Sequence, residues 1–284
     1  MTLDGGRTGA LRLGHSPDPD DAFMFYPLAS GKIDTEGLEF VQVLRDIESL
    51  NRMALEGSIE ITAASVHAYG HLAHRYAILS CGGSFGDGYG PLLVSARPLP
   101  GKSLAGKVVA VPGTLTSAFL ALRLHSGDFI PKVVPFDQIP ERVAEGSVDA
   151  GLLIHEGQLT YAGAGLLKVA DLGEWWRAET GLPLPLGVNL VRKDLGEDRC
   201  RQVARLLRRA VDYALDHRPE ALTYAMQFGR GLARDLTDRF VGMYVNELTR
   251  DAGETGRRAI TLFLERGHRA GLLPQAVTPE FVSG

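Results

Sequence analysis

Apolar and polar positions repeat with two different periods along this chain, and the periods alternate in a regular order. Leu11 to His15 reads as a short strand, closed by a Pro/Asp turn over Ser16 to Asp21. The apolar run from Ala22 to Ser30 suits a helix, with Asp20 or Asp21 as N-cap and Gly31 as its stop. Leu38 to Leu44 alternates as a strand does. Ile47 to Glu56 carries apolar residues at helical spacing as far as Gly57, and Ile59 to Ala64 is again a strand. Val66 to Tyr76 follows as a helix opening at Ser65. This βαβαβα order predicts a parallel sheet with helices on its faces.

The pattern then restarts. Strands are expected at Lys107 to Val111, Lys132 to Pro135 and Asp149 to Ile154, with helices at Thr116 to Leu124 and Ile139 to Glu145 between them. Two extended apolar segments, Gly90 to Ser95 and Pro185 to Val191, lead into and out of this second unit. Beyond Lys193 the helical period dominates, over Arg201 to Asp216, Asp238 to Val245 and Glu254 to Gly267. The expected organisation is an α/β protein of two hinge-linked lobes: residues 11–95 with 190–284, and an inserted lobe of residues 96–189. Lobes joined by two crossings close about a hinge. Ligands in such folds sit where strand C-ends meet helix N-termini.

A length of 284 residues suits two domains. The net charge of -4 gives no basic field for nucleic acid or an anionic membrane, so an anionic ligand needs local donors. Cys81 and Cys200 are read as two reduced thiols, with a single disulfide as the alternative, and their spacing is not that of a zinc site. The N-terminal MTLDGGRTGA lacks a basic stretch followed by an apolar one, and no segment approaches about 18 uninterrupted apolar residues. A soluble, cytoplasmic protein is the expectation.

Four loops fall at the C-ends of expected strands: His15 to Asp21, Ala64 to Tyr69, Gly113 to Ser117 and His155 to Thr160. If the topology holds, all four face one cleft. Ser65, with the amides of Val66 and His67, forms a helix start able to bind a carboxylate, or a plain N-cap. Thr114, Thr116 and Ser117 bring three hydroxyls after a Pro-Gly turn, more than one cap needs. There is no Gly-Lys-Ser/Thr, so this is no triphosphate loop, and the glycine-dense stretch Gly82 to Pro91 lacks a dinucleotide fingerprint and reads as a mobile loop near the hinge. His155 ends an apolar strand and can move a proton near neutrality, or be satisfied by a backbone carbonyl. Glu156 beside it is a candidate to orient the imidazole. Asp18, Asp20 and Asp21 form an acidic cluster that turn-forming and N-capping explain without a metal, and His15 is a further candidate cleft group.

Taken together, HSPDPDDAFMFY, SVHAYGHL, GDGYGPLLV, VPGTLTSAFL, LLIHEGQLTY and DLGEWWRAETGLPLPLG resemble the 1,4-dihydroxy-6-naphthoate synthases of the futalosine route to menaquinone. The resemblance runs from Leu11 to the C-terminal helices. It implies a type II periplasmic-binding-protein fold used as an enzyme, a lyase that converts cyclic dehypoxanthine futalosine to 1,4-dihydroxy-6-naphthoate. It makes His155 the proton acceptor and puts substrate contacts on Ser65, Val66, His67, Thr116 and Ser117. The scheme requires no cofactor or metal. The implied partner is a small-molecule carboxylate, with no nucleic acid and no membrane, and a homodimer left open. The rival readings are a small-anion solute-binding protein of an importer and a chorismate dehydratase, a sister enzyme of the same fold. One loop departs from the family: where members often carry Ser-Pro-Cys-Pro-Asn-Asp-Thr, this chain has Ser16-Pro17-Asp18-Pro19-Asp20-Asp21-Ala22. Its extra negative charge disfavours a carboxylate there.

Overall fold

The structure is a computed structural model that describes residues 9–99, 101 and 103–284. Most of the N-terminal stretch read above for a leader pattern lies outside the described residues. The first part of the chain forms β1 (Leu11–His15), α1 (Pro19–Ala29), β2 (Phe40–Leu44), α2 (Ile47–Glu56), β3 (Ile61–Ser65), α3 (Val66–Leu72), β4 (Tyr76–Leu79) and β5 (Ser84–Gly86). The middle forms β6 (Leu92–Ser95), β7 (Val108–Val111), α4 (Ser117–Ser126), β8 (Ile130–Val133), α5 (Ile139–Ala144), β9 (Ala150–Leu153), α6 (Gly157–Thr160), β10 (Leu167–Asp171) and α7 (Leu172–Thr180). The chain returns through β11 (Leu184–Arg192), α8 (Glu197–Asp216), α9 (Arg218–Ala225), α10 (Arg234–Tyr244), α11 (Glu247–Arg250), α12 (Gly253–Arg269) and β12 (Phe281–Val282).

Two sheets result, in the strand orders β12-β4-β11-β3-β1-β2, with β5 also on β11, and β10-β6-β9-β7-β8. Each heads one lobe. The first sheet is mixed rather than parallel: β1 pairs in parallel with β2 and β3, whereas β11 inserts antiparallel between β3 and β4. The sheets also divide the crossings differently from the boundaries expected at 95/96 and 189/190. Residues 92–95 (β6) hydrogen-bond to β9 and β10, so they belong with the second lobe. Residues 184–189 of β11 pair with β5 and β3, so they belong with the first. A strand's backbone groups need ladder partners, and those partners rather than the apolar pattern assign each crossing to a lobe.

Local differences have local causes. α1 starts earlier than expected, with Pro19 in its first turn and Asp18 as the cap that accepts the Asp21 amide at 3.3 Å. Proline fits a first turn because its missing N–H would find no partner there. α3 ends at Leu72, and Tyr76–Leu79 is a strand buried on both faces, which apolar periodicity cannot tell from the end of a helix. The glycine-dense stretch is pinned rather than mobile. Part of it is β5, and a Cβ on Gly173 would lie 1.9 Å from the Tyr89 carbonyl oxygen, so only glycine lets α7 sit this close. Trp176 of α7 is fully buried, donates its indole N–H to Pro183 and meets Phe263 of α12 edge-on at 5.3 Å. That contact packs the second lobe against the first. Cys81 and Cys200 are free, buried thiols; burial pushes Cys81 up to about 12 and Cys200 up as well. No described helix is long and apolar enough to cross a membrane.

Candidate active site

The four expected loops meet. Residues from each line one cleft of about 710 Å³ between the two sheets, part of it open to solvent. Asp18, Asp20 and Ser65 come from the first lobe, Thr116, Ser117 and His155 from the second. The lobes are closed on each other around it. Thr116 O contacts His67 Nδ1 at 3.2 Å, and the His67 amide donates to Ser117 Oγ at 3.2 Å. Glu48 accepts the Leu115 amide at 3.1 Å, and Tyr244 donates to Gln158 at 2.7 Å.

His155 follows β9 after Ile154, with a backbone φ of 51°. A left-handed conformation is uncommon for a residue with a side chain, and such strain gathers at functional positions. Here it turns the imidazole into the cleft. Phe136 packs its ring edge-on against it at 4.8 Å, and Nδ1 lies 3.1 Å from Asp18 Oδ2. Nε2 has no hydrogen-bond partner among the described residues. Asp18 is 1% exposed. Burial alone would raise its carboxyl, yet the neighbouring His155 and the Asp21 amide hold it below the usual carboxylate range. A buried carboxylate on Nδ1–H fixes the tautomer that leaves a lone pair on Nε2. This is the geometry of a general base and its orienting acid.

Asp18 therefore takes the role that proximity in sequence suggested for Glu156. Glu156 points the other way, to Arg230 Nη1 at 2.8 Å. Arg230 also donates to the Pro17 carbonyl at 3.0 Å and lies over the Phe136 ring at 4.6 Å. One guanidinium thus bridges the first lobe to the second at the rim beside His155. Arg230 carried no signal in the sequence, because it lies in a short loop before α10 and its partners, Pro17 and Glu156, are distant in the chain.

The three carboxyls of the acidic loop are unequal. Burial and the neighbouring Asp18 and Asp21 charges push the Asp20 carboxyl well above the usual range. Burial and Asp18 push Asp21 up too, although its Oδ2 accepts the Ser16 amide at 2.7 Å. One donor atom each of Asp18, Asp20 and His155 lies within 4.8 Å of the others, and Asp18 and His155 use each other. The loop thus holds one low-lying carboxyl, Asp18, within 3.1 Å of His155 Nδ1, and two raised ones, Asp20 and Asp21.

The hydroxyls differ in what they have left to offer. Thr116 is the N-cap of α4: its hydroxyl donates to Gly113 O at 3.0 Å and accepts the Phe119 amide at 3.1 Å. Ser117 donates to the Leu186 carbonyl and accepts from His67. Ser65 accepts from Asn51 Nδ2 at 3.1 Å, and its amide donates to Asn51 Oδ1 at 2.8 Å, so its own O–H can serve a ligand. Asn51, the clamp behind Ser65, was not anticipated; its place on α2 gave only a helical pattern. Val66 and His67 are not part of the cleft wall. Val66 is fully buried in the core, and the His67 amide is already used. Burial, with His71 nearby, lowers His67 to about 4. His15 is likewise withdrawn, fully buried, stacked on Phe25 and bonded to Ser16 O and Gln42.

Fold and cleft define a two-lobed protein of the periplasmic-binding-protein type. The alkanesulfonate-binding protein of Xanthomonas axonopodis pv. citri, bound to MOPS, shares the fold with a TM-score of 0.69 at 16% identity, over 95% of this chain and 96% of its own. A crystallised protein from Archaeoglobus fulgidus superposes with a TM-score of 0.89 at 46% identity, covering 94% of this chain and 99% of that one. A family model described as "Menaquinone biosynthesis" matches residues 11–269, and the chain belongs to that family. Two relatives carry the name 1,4-dihydroxy-6-naphtoate synthase. The Thermus thermophilus protein is 44% identical over 96% of this chain and 99% of its own, and the Streptomyces coelicolor protein 37% identical over 93% and 95%.

Proposed function

We propose that the chain converts cyclic dehypoxanthine futalosine to 1,4-dihydroxy-6-naphthoate, with His155 as the base. The observation that carries this reading is the His155–Asp18 pair inside a closed cleft, with Nε2 free of protein partners. The activity named for both relatives supports it. Nε2 removes a proton from the bound substrate, and Asp18 stabilises the imidazolium that forms. The carbon framework then fragments and the naphthoate ring aromatises. The Ser65 hydroxyl and the first amides of α4, at Ser117 and Ala118, hold substrate oxygens, since a helix start leaves N–H groups without intrahelical acceptors. Lobe closure keeps water from the intermediate. A small carboxylate is the ligand class, and a cytoplasmic enzyme is the expected setting.

A solute-binding protein of the same fold would need no oriented base, and the buried Asp18 behind His155 has no use in simple capture. The purified protein mixed with cyclic dehypoxanthine futalosine should release 1,4-dihydroxy-6-naphthoate, read by mass spectrometry. Absence of product from that substrate, with turnover of chorismate or with tight binding of another solute alone, would sink the reading.

A further inference from the structure

The loop from Ser16 to Asp21 places three carboxyl groups at the cleft, and their surroundings are unequal. Asp18 has the imidazole, and Asp21 has the Ser16 amide. Asp20 lines the cleft in the first turn of α1, about nine-tenths buried, and its Oδ1 meets no N–H or hydroxyl donor. Among the described residues, the groups facing it supply no free cation. From the second lobe come His155, already paired with Asp18, and Glu156, an acid paired with Arg230. From the rim comes Arg230, held by Glu156 and the Pro17 carbonyl. From α10 comes Tyr244, whose buried hydroxyl donates to Gln158. His15, behind the loop, is buried, and burial keeps it from charging. Two adjacent buried carboxylates without a cation between them cannot both ionise, and a shared proton is the least costly remedy.

We propose that Asp20 works as a neutral carboxylic acid, its O–H donated to Asp18 and its other oxygen accepting a hydrogen bond from a substrate hydroxyl. An acid in this state has the donor and acceptor pattern of an amide. Asp18 then receives one proton donor from each side, Asp20 and His155, so Asp20 positions and moderates the charge that serves the base. The burial that raises the Asp20 carboxyl agrees with this arrangement. The hydroxyl contact rests on the substrate reading above, whereas the proton on Asp20 does not.

The test separates the two. Infrared spectra of the full chain at pH 7 should show the C=O stretch of a protonated carboxyl that Asp20→Asn removes and Asp21→Asn does not. Because the folded state holds a proton that the unfolded chain has released, wild-type stability falls relative to Asp20→Asn as pH rises above the carboxylate range. The Tm difference between the two proteins should therefore widen with pH. In turnover, Asp20→Ala should lower kcat/KM by roughly tenfold or more through the lost hydrogen bonds, and Asp20→Asn should recover most of that loss. An unchanged infrared band in Asp20→Asn, or a Tm difference flat with pH, overturns the proposal. So does a carboxyl signal that responds to EDTA and returns with added zinc, which would put a metal ion in place of the proton. If the wild type does not turn over the substrate, the substrate reading fails, and the spectra still decide the state of Asp20.

Discussion

Asp18 performs two tasks with one side chain: it caps α1 and anchors His155. Asp18→Asn keeps the shape and loses the charge, so kcat should fall roughly 10²–10⁴-fold with substrate affinity changed far less, as steady-state kinetics would register. Ser65→Ala should act on binding instead, raising KM by about tenfold through one lost hydrogen bond to a charged group. His67 contributes to acid sensitivity. It is held neutral in the fold, with a value of about 4 against about 6.5 in an unfolded chain. Between those values the unfolded chain binds the extra proton, so folding weakens as pH falls from about 6.5 through about 4, by at most roughly 3 kcal/mol. His67→Gln should flatten that part of the Tm–pH curve. At this scale the placement was legible: His155, Ser65, Thr116 and Ser117 stand on the cleft wall as strand-end loops predict. Asp18 was visible only as one of three crowded aspartates, and what distinguishes it is a histidine on the other lobe. Val66 and His67 lie off the cleft wall, and the His67 amide is taken by Ser117 of the opposite lobe, which position at a helix start cannot foretell.

Elements were legible where a punctuating residue ends them. α2 runs over Ile47–Glu56 and stops at Gly57 in a left-handed cap with φ of 71°, a conformation that glycine alone adopts without strain. β4 and β11 were harder, since a strand buried on both faces has no alternation to read and its partners come from distant sequence. The glycine-dense stretch illustrates the same point. Its glycines permit close packing rather than movement, and Gly86, Tyr89 and Gly173 form one wedge at the start of α7. Gly173→Ala should cost about 1–3 kcal/mol by forcing the backbone apart, measured as a fall in denaturant midpoint with an unchanged slope.

For the whole molecule, the order of elements and the two crossings anticipated the two lobes, while the assignment of each crossing strand needed the ladders. Closure depends on contacts between the lobes that no local pattern encodes: Asp18 with His155, His67 with Thr116 and Ser117, and Arg230 with Glu156. Arg230 is partly exposed, so its ion pair contributes little to overall stability. Its position at the rim matters more, because it links both lobes beside His155. Arg230→Ala should leave Tm near wild type, raise KM roughly three- to tenfold and widen the ligand-free particle in small-angle scattering. An unchanged KM would remove Arg230 from the closing contacts. The central claim is that His155, oriented by Asp18 in this closed cleft, is the base for naphthoate formation. Its most direct test is wild type and His155→Asn side by side, with product formation from cyclic dehypoxanthine futalosine and substrate affinity by calorimetry measured on the same preparations. The account predicts that the variant binds with affinity within a few-fold of wild type and forms product at least about 10²-fold more slowly. Product formation by His155→Asn at a near-wild-type rate would contradict it.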